Sequence, residues 1–321
     1  LLLDWDEPIY MEAASEVAQS IQNKDWSAVL APTLNREHPS LVKVAYGMSL
    51  VPQGTDVGLV ERLASLRGLS MMAGLMAVAV LAWVQPAAGL VLATHTIHAK
   101  YSSQAYLDSL PMLWMTAAML VGWKNRSTPS SRAMIVAGAC WGAASAGKWL
   151  HGIPGLVLLF AIPGWRARAR LACTAMVSML VLDSSMWLDP WGRFTEMIAM
   201  HVEYGASLET NTNWWTPWVH LGNGGPADWH PEAFPYSIDG LWLMVAGVGL
   251  WLGRSTPWAR YLAAWIGLPM LVLMVWGTRW PQHLMVVVAP ISLAAGMGLQ
   301  RAFSLANRRF LPTEKRPPTS E

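Results

Sequence analysis

The chain has 321 residues, of which 54% are hydrophobic and only 13% charged, with 20 Trp and 19 Met. A water-soluble domain carries about a quarter charged residues, so this composition excludes an ordinary soluble enzyme and makes the lipid bilayer the expected solvent. A formal net charge of +2 gives no electrostatic footprint for nucleic acid. The two cysteines, Cys140 and Cys173, both sit in apolar blocks, which excludes a disulfide scaffold and a zinc finger.

In chain order, Leu1 to Leu3 read as the stub of a first span, and the absence of an initiating Met predicts an N-terminally truncated chain. A long first loop over about 4–66 follows. It opens acidic, and Ile9, Met11, Ala14, Val17, Ala18 and Ile21 recur at helical spacing, which predicts an amphipathic helix lying on the membrane surface. Apolar runs bounded by charge or Pro/Gly then predict membrane helices near 68–84, 86–97, 109–123, 133–147, 150–163, 171–187, 238–253, 261–277 and 283–300. Several are shorter than the ~20 residues that cross a bilayer, and one continuous helix over 133–163 is the alternative there. Between the sixth and seventh runs lies a second long loop, about 188–237, rich in Trp, Pro and Gly. Its segments 214–218 and 229–236 suit the headgroup layer, where Trp prefers to sit. Helix connections usually take about 2 to 8 residues, so both long loops are expected to carry function. The expected organisation is one membrane-embedded domain over 1–310 and a disordered cytoplasmic tail over 311–321.

The charges support this layout. If the first loop faces outside, the alternate loops and the tail place 13 of the 22 basic residues on one side, with only Glu314 and Glu321 among the acids there. That is a positive-inside pattern, and it predicts a multi-pass cell-membrane protein with the C-terminus in the cytoplasm and the acidic loops outside or in the periplasm.

Three constellations could do chemistry. Asp4, Asp6 and Glu7 follow the first stub, and Asp108 opens the 109–123 run on the same side; carboxylates at a membrane edge need a wet cavity or a partner. Helix capping is the alternative role, and for Asp108 it stands equal to the functional one. The segment Arg36-Glu37-His38-Pro39-Ser40-Leu41-Val42-Lys43 offers Glu37 and His38 to a ligand or divalent metal, but two adjacent residues do not make a zinc site, and a loop-to-helix turn explains the segment as well. Finally, Arg62, Arg67, Lys100, Lys148 and Arg279 break the charge bias, so each needs an anionic partner or must snorkel to lipid phosphate.

The order of these motifs resembles a known family. Asp6-Glu7-Pro8-Ile9-Tyr10, then Glu37-His38-Pro39-Ser40-Leu41 and Arg62-Leu63-Ala64-Ser65, resemble the first extracytoplasmic loop of the dolichyl-phosphate-mannose protein mannosyltransferases and the aminoarabinose lipid A transferases. Tyr101-Ser102-Ser103-Gln104-Ala105-Tyr106-Leu107-Asp108 is similar to their Ser-rich segment, Ala144-Ser145-Ala146-Gly147-Lys148 to their helix ending before a Lys, Asp189-Pro190-Trp191 to the start of their central loop, and Arg279, His283 and Pro290 to a late helix. Two positions depart from the pattern: Gln104 stands where a basic residue is frequent, with Lys100 nearby, and His38-Pro39-Ser40 replaces a His-Pro-Pro.

The resemblance implies an all-α polytopic membrane protein of the C-type glycosyltransferase fold, with about nine spans beyond the first stub. It implies a glycosyltransferase that passes a sugar from a polyprenyl phosphate to a hydroxyl of a protein, lipid or glycan acceptor, with inversion. Asp6 would be the general base and Glu7 would orient it or bind the acceptor. Lys148 and Arg279, and less directly Arg62, would hold the donor phosphate, with Glu37, His38, Asp108, Lys100 and His283 as substrate contacts. No cofactor is required, and a divalent metal at Glu37 and His38 is optional. The rival class is a transporter or a lipid-binding membrane protein without activity; a transporter predicts charges at mid-membrane and repeat symmetry.

Overall fold

The computed structural model describes residues 3–4, 6–54, 58–207, 213–223, 237–276 and 278–310. Among them every regular element is helical. Three short helices come first: α1 (Glu7–Gln22), α2 (Trp26–Leu30) and α3 (Leu41–Leu50). The bundle proper is built from α4 (Leu59–Val84), α5 (Pro86–Thr94), α6 (Thr96–Ser102), α7 (Ser109–Lys124), α8 (Ser131–Gly147), α9 (Pro154–Ala161) and α10 (Trp165–Leu182). Then come α11 (Pro190–Ser207), α12 (Thr216–Asn223), α13 (Asp239–Gly253), α14 (Pro257–Val275) and α15 (Met285–Phe310). The stub residues 1–2, the Trp segment 229–236 and the tail 311–321 lie outside the described residues.

Each predicted apolar run coincides with helix. Leu59–Val84, Pro257–Val275 and Pro281–Ala306 are long and apolar enough to cross a membrane; Trp149–Ala161 and Asp239–Gly253 are shorter apolar helices. The last span is the central one, with 89% of its most apolar window buried against 28% for α4, which faces outward. The run 86–97 is not one helix. Asp239, fully buried, accepts hydrogen bonds from the Thr96 and Ile97 amides at 2.6 and 3.1 Å and faces His95 Nδ1 at 3.2 Å. A carboxylate on the first free N–H groups of a helix stabilises a new N-terminus there, so α6 starts afresh. The 133–163 stretch is likewise broken, at Lys148, whose backbone is extended between α8 and a 3₁₀ turn over Trp149–Gly152.

The first loop is structured rather than draped on lipid. The apolar stripe of α1 is buried, with Tyr10, Ala13, Ala14 and Val17 each at most 2% exposed. Gly47 of α3 is what lets the two helices meet: a Cβ there would lie 2.6 Å from Val17 Cγ1 and 3.0 Å from Ala14 O. Thus part of the predicted amphipathic face, Ala14 and Val17, packs on α3, while Ile9 of the same stripe is 36% exposed. The predicted loop also ends early, since α4 begins at Leu59.

Small residues set the close crossings in the bundle. On α8, Gly138 lies against Leu171 O of α10, and Gly142, one turn on, against Ala175 O. On α13, Gly249 meets Ala294 O of α15. Spacing of small residues by four puts them on one helix face, where backbones can touch. In contrast, Gly247 faces open space. Gly142→Ala should therefore lower stability by about 1–3 kcal/mol, the cost of overpacking, while Gly247→Ala leaves it unchanged or slightly higher. Thermal unfolding of the two detergent-purified variants checks this pair; equal midpoints would contradict the packing described.

Candidate active site

Asp6, Glu7, Arg67, Asp108 and Lys148 come together where the first-loop helices meet α4, the start of α7, the end of α8 and the 3₁₀ turn Pro281–Leu284. Three carboxylates there have three different environments.

Glu7, in the first turn of α1, is completely buried and saturated. Arg67 of α4 grips it with two bonds, Nε to Oε1 at 2.7 Å and Nη2 to Oε2 at 2.6 Å. The Ala105 amide donates to Oε1 at 2.8 Å and the Asp4 amide to Oε2 at 2.9 Å. Burial works against the charge, but Arg67 and the two amides outweigh it and hold the carboxyl below its ordinary range. The bidentate pair ties α1 to α4 and to the 103–108 segment.

Asp108 precedes α7, is fully buried, and makes no side-chain cap bond. The capping role is not realised. Its Oδ2 accepts from Lys148 Nζ at 2.8 Å and its Oδ1 pairs with His151 Nε2 at 3.0 Å. Burial alone would raise this acid, yet Lys148 and His151 pull it down to about 2. Lys148 is itself only 3% exposed.

Asp6 is the exception. It precedes α1 without capping it; Oδ2 accepts from Gln282 Nε2 at 3.1 Å and from the Tyr10 hydroxyl at 3.5 Å. Burial lifts its carboxyl to about 6; the Lys148 charge opposes this, and Asp4 and Asp108 add to it. Asp6 also opens onto a hollow, shared with Tyr10, Glu37, His38, His201, Trp280 and His283. A second hollow, lined by Lys148, Trp149 and Trp276, has Glu37, His38, His201 and His283 in common with the first. The acid and the cation thus face two adjoining hollows that share four lining residues.

The Glu37-His38 turn forms one wall and is clamped from behind. Lys43 Nζ donates to the carbonyls of Asn35 at 2.7 Å and His38 at 3.0 Å. Arg193 of α11 donates to the carbonyls of Arg36 and His38. Ser40, the residue before α3, gives its amide and hydroxyl to buried Asp183 at 3.0 and 2.7 Å. The loop-to-helix turn read from the sequence is present, and it also presents its side chains to the recess. Glu37 accepts from the Asn35 side-chain amide at 2.7 Å, and His38 lies 5.7 Å from the His201 ring. Burial and the Lys148 charge push His38 well below its ordinary pKa, so its ring is neutral. Among the described residues, no three His, Cys, Asp or Glu side chains are placed to hold a metal ion. Glu37 and His38 by themselves fall short of the three or four ligands that zinc needs.

The remaining candidates are dispersed. His283 lines both hollows and donates from Nδ1 to Thr278 O at 3.0 Å. Arg279 is half-buried between Thr278 and Trp280, which line the Asp6 hollow. Lys100 is buried, with its ammonium 5.2 Å from the Tyr101 ring centre. Arg62 opens instead onto a separate small hollow with Ser15, Gln19, Gln22 and Gln53, so the structure does not bring it to Lys148. Trp214, Trp215 and Trp218 are 56%, 44% and 38% exposed and line neither recess.

Sequence reading missed Gln282, His151, His201, Arg193 and Asp183. His151 had a local signal, three residues past Lys148 in a Gly-bounded turn. Asp183 and Arg193 act across more than 140 residues of chain, and nothing local announces them.

No protein-family model matches the chain, and no curated protein does. Solved structures do. Crystal structures of ArnT from Cupriavidus metallidurans superpose at TM-score 0.62 for the apo state, with 17% identity over 95% of this chain and 57% of that one. For the undecaprenyl-phosphate-bound state the values are 0.59, 19%, 94% and 56%. The fold is therefore that of an all-helical ArnT-like membrane protein, the kind the motif order resembles. The chain spans little more than half the length of those structures.

The three carboxylates should separate in stability measurements. Asp108→Asn leaves the Lys148 ammonium buried without its counter-charge and should cost about 3–5 kcal/mol; Glu7→Gln should cost a similar amount. Asp6→Asn should do the opposite. A raised folded-state pKa means Asp6 contributes stability below its unfolded value near 3.8 and loses it as pH rises to about 6. Replacing it should raise stability at pH 8 by up to roughly 3 kcal/mol and change little at pH 4. Unfolding midpoints at the two pH values check all three; a destabilised Asp6→Asn at pH 8 contradicts the assigned environment.

Proposed function

We propose that this chain is a glycosyltransferase that moves a sugar from a polyprenyl phosphate to an acceptor hydroxyl on the extracytoplasmic face of a membrane. The observation that carries the reading is the pairing of one carboxylate held near neutral pKa with a buried cation on adjoining hollows that share four lining residues, in a fold shared with a protein crystallised with undecaprenyl phosphate.

The chemistry asks for these two groups. The acceptor oxygen forms a bond to the anomeric carbon as the carbon–oxygen bond to phosphate breaks, and its proton passes to Asp6. A base is most effective with a pKa near the working pH, which Asp6 has and Glu7 and Asp108 do not. The leaving polyprenyl phosphate turns from a diester with one negative charge into a monoester approaching two. A cation beside it therefore binds the transition state more strongly than the substrate. Lys148 supplies that charge, with Arg279 on the neighbouring segment as the second cation. Attack from the side opposite the leaving group inverts the anomeric centre.

The other acids are positioning residues in this reading. Glu7 fixes the start of α1 and hence Asp6; Asp108 and His151 fix Lys148. Glu37, His38 and His283 line the recess and meet the sugar. The isoprenoid tail lies in lipid between helices. Basic loops toward the far end of the bundle support a recess on the extracytoplasmic side, by the positive-inside rule. Both arms of the carboxylate and cation pattern lie at helix ends, where a transporter path would need charges at mid-depth.

The test is transfer from radiolabelled polyprenyl phosphate sugars to membrane acceptors. The parent should label a product, with a rate that falls as pH drops below about 6, and Asp6→Asn should lose about 10²–10⁴-fold while remaining folded. Lys148→Gln should lose rate with the pH limb displaced upward, because its charge lowers the pKa of Asp6. An Asp6→Asn variant as fast as the parent would show that the base is another group.

A further inference from the structure

A cleft of about 1060 Å³ lies away from the recess. It lies between α4, α7, α14 and α15 at the other end of the bundle. Three helices measure the separation independently. From Arg67, which grips Glu7, to Val84 is 17 residues of α4; from Ser109, next to Asp108, to Lys124 is 15 of α7; from Met285, beside His283, to Gln300 is 15 of α15. At 1.5 Å per residue each gives roughly 23–26 Å, close to the ~30 Å hydrocarbon core of a bilayer. The cleft therefore opens at the depth of the opposite headgroup layer.

Its walls are of two kinds. Along the helices they are apolar, with Val80, Leu120, Val121 and Met297 among them. Toward the helix ends they carry Lys124, Arg126, Gln85 and Gln300, and no acid is among the lining residues. Arg126 is held in place rather than loose. Its guanidinium lies 3.6 Å from the centre of the Trp123 ring, and Nη1 donates to the Trp123 carbonyl at 2.9 Å. That indole stacks in turn on Tyr261, 4.5 Å away, and leans on Trp258 at 5.0 Å. A planar cation stacked on a supported ring keeps its outward N–H groups preorganised for a phosphate.

We propose that this cleft is a binding site for an anionic phospholipid of the leaflet on the basic side, the phosphodiester resting on Arg126 and Lys124 and the acyl chains running along α4 and α7. Charge complementarity selects the occupant: an apolar trough with two cations and two amides at its mouth suits a lipid with a net negative headgroup. The volume, at the upper end of the ~300–1,000 Å³ usual for ligand sites, fits a headgroup with the first part of its chains. The inference needs only that the chain crosses a membrane; it does not depend on the sugar-transfer reading.

The test is native mass spectrometry of the full chain in detergent, titrated separately with phosphatidylglycerol and with phosphatidylcholine. The parent should retain phosphatidylglycerol in preference. The double variant Lys124→Gln/Arg126→Gln should lose that retention by roughly tenfold or more, while Arg166→Gln/Arg170→Gln, which removes the same charge outside the cleft, should keep it. Equal retention of the two lipids, or equal loss in both double variants, overturns the site. Undecaprenyl phosphate competing out phosphatidylglycerol in a way that the Lys124/Arg126 variant abolishes would overturn the choice of phospholipid.

Discussion

The arrangement of the recess depends on one buried ion pair, that of Asp108 with Lys148. Lys148 stands at the break between α8 and the following turn, where its side chain would otherwise carry an isolated charge into a region almost free of water. An unpaired buried ammonium gives up its proton or unfolds its surroundings. Asp108, placed by the start of α7, removes that cost, and His151 engages its other oxygen. The pair thereby fixes the Lys148 side chain beside a hollow, and it does so without covering the hollow itself.

The three acids then differ by their partners rather than by their burial. Glu7 and Asp108 each have a cation in contact and both stay ionised. Among the described residues Asp6 accepts hydrogen bonds from the neutral donors Gln282 and Tyr10, with Lys148 acting through its field. Groups of one type whose environments push their pKa values apart are how a site divides acid–base roles. Here two carboxylates are committed to holding structure and one is left able to exchange a proton near neutrality.

Much of this could be read from residue order, and the limits of that reading have physical causes. Helix positions were legible because helices in an apolar solvent are apolar along most of their length; each of the nine runs overlaps helix, with ends and breaks such as those at His95 and Asp183 not foreseen. The break at His95 depends on Asp239, more than 140 residues away. The packing of α1 on α3 was not legible for a similar reason: an amphipathic stripe states that one face is covered, not what covers it. Asp6, Lys148 and Asp108 could be chosen because charge is scarce in such a chain, so each instance asks for a partner. Which partner each found was legible only in part. Sequence shows the carboxylates of Asp108 and Glu7 but not the donors that saturate them. Arg62 was grouped with Lys148 on membrane side alone, and α4 turns it toward a different hollow.

The account rests on Asp6 being a carboxylic acid poised near neutrality by burial and restrained by Lys148. The most direct measurement is a site-resolved titration of Asp6, by ¹³C-carboxyl NMR or infrared difference spectroscopy with Asp6→Asn as the assignment control. It should show a midpoint near 6 in the parent and a higher one in Lys148→Gln. A midpoint near the ordinary 3.8, unmoved by loss of Lys148, would contradict it.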